Sequence, residues 1–70
     1  MDQEKIGQFI REIRKRNNLS QSEFAERLGV TFQAVSKWEN GKNLPDMAIL
    51  KEISKQFGVS IEEIINGEFA

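Results

Sequence analysis

The chain has 70 residues, a net charge of −1, no cysteine and no histidine. At this length it makes one domain that buries only about 60% of its unfolded surface, with no disulfide or thiolate metal site to staple it. The usual general bases, nucleophiles and transition-metal ligands are also missing, so neither catalysis nor a metal cofactor is expected.

Ile6, Phe9, Ile10 and Ile13 recur at helical spacing, which predicts an amphipathic first helix from about Gln3 to Asn17. Arg11, Arg14, Lys15 and Arg16 crowd its last turns, where the negative end of the helix dipole favours cations. Residues Gln21 to Asn40, QSEFAERLGVTFQAVSKWEN, read as two short helices joined by a tight turn. Ala25 is small enough for a second helix to cross closely. Gly29 stands at the turn, where a positive φ costs glycine almost nothing. Phe24, Leu28, Val30, Val35 and Trp38 supply the buried side, leaving Phe32, Gln33, Ser36 and Lys37 outward on the second helix of the pair. That is a helix-turn-helix with the size and chemistry of a major-groove reader. Trp38 could stack on a base, but its spacing places it in the core.

Serine caps mark the helix starts. Ser20 with Glu23, and Ser60 with Glu63, form capping boxes, each with an apolar staple: Leu19 with Phe24, Val59 with Ile64. Val30, Thr31 and Val35 repeat the staple without the glutamate. Asn40-Gly41 ends the third helix and Pro45-Asp46 opens the fourth. The fourth carries an apolar stripe of Ile49, Leu50, Ile53 and Phe57 and stops at Gly58. The fifth is short, Ile61 to Ile65, with Asn66-Gly67 as its exit. The fold class is therefore all-α, five helices and no strand. Neighbouring Glu62 and Glu63 diverge by about 100° on a helix and read as first-turn acids rather than a catalytic pair.

No apolar run approaches the roughly 18 residues of a membrane span, which with the absence of cysteine fits a cytoplasmic protein. Charge is uneven: residues 1–43 carry +2 and residues 44–70 carry −3. Phosphate contacts need only a local basic patch, so an acidic total lowers non-specific affinity without excluding specific binding.

The linked stretches LSQSEFAERLGV, AVSKWENGK and FGVSIEEIINGE resemble the Cro/repressor-type (XRE, lambda-repressor-like) DNA-binding domains over about residues 5 to 68. The resemblance implies a bacterial or phage transcriptional regulator, most simply a repressor, with double-stranded DNA as partner. It further implies that the third helix enters the major groove, with Phe32, Gln33, Ser36 and Lys37 at base edges. Gln33 suits adenine, Lys37 suits guanine O6 and N7, and Phe32 offers apolar contact to a thymine methyl. Some relatives carry glutamine at the Phe32 position, so their adenine readout does not transfer. Gln21, Thr31, Asn40, Lys42 and Arg14 are the implied phosphate contacts. Arg14 and Glu39 are the implied ion pair tying the first helix to the third. The loop Asn43-Leu44-Pro45 holds no arginine for the minor groove. A dimer on an inverted repeat is expected, and Val59, Ile61, Ile65 and Phe69 offer a self-association patch, part of which must be core. Two rivals stand beside this reading: a protein-interaction module of the same fold, such as an antitoxin, and the N-terminal piece of a longer regulator.

Overall fold

The computed structural model describes residues 1–70 as five α-helices: α1 (Gln3–Arg16), α2 (Gln21–Leu28), α3 (Phe32–Glu39), α4 (Met47–Phe57) and α5 (Ile61–Asn66). Local chemistry sets each start. The Ser20 hydroxyl accepts from the Glu23 N–H at 3.0 Å, and the Glu23 carboxylate accepts from the Ser20 N–H at 2.8 Å. Ser60 and Glu63 repeat this reciprocal box at 2.9 and 2.8 Å. Thr31 caps α3 through the Ala34 N–H, and Asp46 caps α4 through the Ile49 N–H. Asp2 caps α1, accepting from the Lys5 N–H at 3.1 Å; the apolar spacing marked the start at Gln3 but not this cap. Asn17 lies one position beyond α1 as its C-cap, and Asn66 belongs to α5.

Twelve apolar side chains from all five helices and the α4–α5 junction close into one core, with Ile10, Phe24, Val35, Ile53 and Ile64 at its centre. Helix α1 packs on α3 and α5, α2 on α3 and α4, and α4 on α5. Trp38 is buried in this core, whereas Val30 is only half-buried at its edge.

The α1–α3 crossing is the tightest joint. Gly7 faces the backbone of α3 so closely that an added Cβ would lie 2.1 Å from the Trp38 carbonyl oxygen. A side chain there would force the helices apart. Glycine inside a helix costs about 1 kcal/mol relative to alanine, and the close approach is the return on that cost.

Of the apolar residues near the C-terminal end, part is core, as expected, and Phe69 stays 40% exposed. Val59 is part of the core. Phe69 folds back on Phe9, ring centroids 4.5 Å apart, and the Arg16 guanidinium sits 4.2 Å above the Phe69 ring. The Ala70 N–H donates to Glu63 at 2.9 Å, which holds that end against α5. Ile61 and Ile65 are half-buried. Packing on α1 thus covers part of Phe69. No helix is long and apolar enough to cross a membrane.

Candidate nucleic-acid interface

Helix α2 ends at Gly29, whose φ of +70° lets the chain reverse, and the Val30 N–H returns to the Ala25 carbonyl at 3.0 Å. Thr31 then caps the start of α3, which packs against α2, and Ala25 is buried in the core. Positions 32, 33, 36 and 37 share one helix face, being one turn apart in pairs. Phe32, Gln33 and Lys37 are exposed on it, while Val35 and Trp38 point inward with no more than 5% exposure. Phe32 stands out as a large apolar side chain left 49% exposed. Ser36 is half-buried, its hydroxyl 3.4 Å from the Asn40 side-chain nitrogen.

Behind this face, Glu39 fastens α3 to α1 and α2. Its carboxylate has no exposed surface. Arg14 donates to it through Nε at 2.7 Å and through a terminal nitrogen at 3.0 Å, a two-pronged grip. Gln21 Nε2 donates at 3.1 Å and Arg11 Nε at 3.3 Å, both to Oε1. Burial pushes the Glu39 carboxyl up, but the hydrogen bonds from Arg14 and Gln21, the Arg14 charge and the Arg11 contact outweigh it. The net shift is downward. The hydrogen bond to Glu39 in turn raises the Arg14 guanidinium above its ordinary value. Glu39 and Arg14 therefore stay in the charged states that bond best.

Of the two roles given to Arg14, the ion pair with Glu39 is present in the structure. The remaining contact of Arg14 is a 2.9 Å bond to the Leu19 carbonyl, and its side chain is 11% exposed. With the guanidinium held on internal acceptors, it ties α1 to α3. Gln21 lies at the α2 N-terminus, half-buried, with its amide nitrogen on Glu39. Thr31, Asn40 and Lys42 are exposed. Asn40 caps α3, its side chain donating to the Ser36 carbonyl at 2.9 Å, and the Lys42 N–H bonds the Lys37 carbonyl at 2.9 Å. Those bonds place both side chains just past the end of α3. The Arg11 and Gln21 contacts on Glu39 were not read from the sequence. The available signal was that Arg11 lies three positions before Arg14, on the same face of α1.

A five-helix all-α body with a capped, outward-facing second helix in its helix-turn-helix defines the class, and comparison with known proteins agrees. The helix-turn-helix family model matches residues 10–64, and the chain belongs to that family, in its XRE type. The HTH-type transcriptional activator BcrR of Enterococcus faecalis is 48% identical over 59 residues, covering 84% of this chain and 29% of BcrR. Antitoxin PezA of Streptococcus pneumoniae is 33% identical over 60 residues, covering 86% of this chain and 38% of PezA. The chain thus spans well under half the length of these two curated relatives. The crystal structure of the clp gene regulator ClgR from Corynebacterium glutamicum shares the fold, with a TM-score of 0.81 at 21% identity over 96% of this chain and 71% of that one.

Proposed function

We propose that residues 1–70 form one sequence-specific DNA-binding domain of a transcriptional regulator, with α3 lying in the major groove. The observation that carries this reading is the outward face of α3, where exposed Phe32, Gln33 and Lys37 stand on a helix locked from behind by buried Glu39. Gln33 pairs bidentately with adenine, Lys37 donates to guanine, Ser36 bonds a base edge, and Phe32 covers a thymine methyl. Gln21, Thr31, Asn40 and Lys42 hold phosphates on either side of the groove and set register without reading sequence. No covalent step is involved. The domain acts in the cytoplasm by occupying an operator, most simply to repress. One domain reads a short half-site, so the working form is a homodimer on an inverted repeat with half-sites about 34–36 Å apart.

The likeness to antitoxin PezA favours one rival, a module whose main partner is a protein. The two readings separate on salt. Binding through several phosphates weakens steeply as salt rises, whereas an apolar protein interface holds. The test is selection from a pool of random duplexes at near-physiological salt. Recovery of an inverted repeat with half-sites one turn apart is the expected result. Lone half-sites contradict the dimer. No enrichment, even at lowered salt, contradicts DNA reading by this chain.

A further inference from the structure

We infer that Arg11 is a phosphate-binding residue, held on the Glu39 carboxylate so that its terminal nitrogens face the DNA backbone between Gln21 and Asn40. The inference rests on the DNA-binding reading above and adds to it a residue which that reading does not use.

One carboxylate here faces two guanidinium groups. Arg14 takes it in the two-pronged grip and is nearly buried, at 11% exposure. Arg11 touches it through Nε alone, at 3.3 Å, and its side chain is 47% exposed. Glu39 therefore neutralises one cation, and the surplus positive charge of the cluster resides on the group that meets solvent. The terminal nitrogens of Arg11 hold four N–H donors, and none has an acceptor within the protein. A planar fork with free donors is the side-chain form best matched to a phosphate.

The placement fits the same partner. Arg11 Nε and Gln21 Nε2 donate to the same Oε1 atom, so Arg11 is a close neighbour of Gln21 at the start of α2. On its other side Arg11 shares an open polar cleft with Gln8, Glu39 and Asn40 between α1 and the end of α3. Glu4 lines the same cleft and is its one opposing exposed acid. Arg11 thus bridges two residues that the DNA-binding reading assigns to phosphate. The Glu39 bond also fixes Arg11 in advance. An arginine on a bare surface loses rotamer entropy when a ligand orders it, and part of that loss has already occurred here. The arrangement converts a buried structural carboxylate into the mount for an outward-facing cation.

The test measures the affinity of this chain for the enriched duplex across a salt series, for the wild type, Arg11→Gln, Arg11→Lys and, as a remote control, Lys55→Gln on α4. Urea unfolding of each variant is followed in parallel. Arg11→Gln is expected to weaken binding uniformly across site variants and to flatten the slope of log K against log salt by about one. Arg11→Lys recovers the slope, and Lys55→Gln leaves it unchanged. A slope unaltered in Arg11→Gln, with wild-type binding intact, overturns the Arg11 assignment and spares the DNA reading. A shift in base preference instead of the slope also overturns it, because Arg11 would then act through the pose of α3. Failure of the wild type to bind any duplex overturns both together.

Discussion

Withdrawing a carboxylate fully from water is expensive, and at Glu39 four hydrogen bonds from Arg11, Arg14 and Gln21 offset the cost. Glu39→Gln keeps the shape but removes the charge and turns one acceptor into a donor facing Arg14. Breaking one side of a buried pair typically costs about 3–5 kcal/mol, and urea unfolding followed by far-UV circular dichroism should show a loss of that order. The same group sets the acid limit of the fold. Its folded pKa lies below the ordinary carboxylate value, so its stabilisation is complete above about pH 4.3. It is lost as pH falls through the lower folded value. Glu23 and Glu63 act with the same sign: bonds from the Ser20 and Ser60 backbone hold their carboxyls low. The unfolding midpoint is therefore expected to stay flat on moderate acidification from neutrality and to fall below the ordinary carboxylate range. In Glu39→Gln the acid limb should be shallower. An acid limb of the same steepness would remove Glu39 from this role.

At the scale of the elements, what could be read in advance was what is decided within one turn of chain. Serine at 20 and 60, each with glutamate three residues on, specifies a reciprocal bond wherever the helix goes. Gly29 and Gly58 specify left-handed exits in the same way. Ser20→Ala should accordingly cost about 1 kcal/mol, seen in the same unfolding curve. The α1–α3 joint was not legible, because it depends on which backbone passes over Gly7. A mid-helix glycine was the only trace of it. Gly7→Ala improves helix propensity by about 1 kcal/mol, yet its Cβ would meet the Trp38 carbonyl at 2.1 Å. Overpacking should win, with a net loss of about 1–3 kcal/mol. A stabilised variant would mean that α1 and α3 can part without cost. Phe69 teaches the same lesson: nothing local announces that it will lie on Phe9 beneath Arg16.

Across the whole molecule, the chain is weakly acidic yet divided, +2 in residues 1–43 and −3 beyond. The proposed phosphate and base contacts, Arg11, Gln21, Thr31, Phe32, Gln33, Ser36, Lys37, Asn40 and Lys42, all fall in the positive part. The acidic remainder lies on the later helices, Glu52 on α4 and Glu62 and Glu63 on α5. Such a molecule should depend on a fitted site more than on bulk attraction, with weak affinity for arbitrary duplex and a steep decline in salt. The outward face of α3 was legible because a helix of eight residues with Val35 and Trp38 inside leaves few others to point out. The mount behind it was only half legible. The Arg14–Glu39 pairing came from resemblance, while Arg11 and Gln21 reach Glu39 across 28 and 18 residues of chain. The most direct test of α3 as the reading element is the base-by-base preference of Gln33→Ala beside the wild type on the enriched duplex. Relaxed preference is expected at one base pair of each half-site, with other positions and the salt slope unchanged. An unaltered preference profile would contradict it.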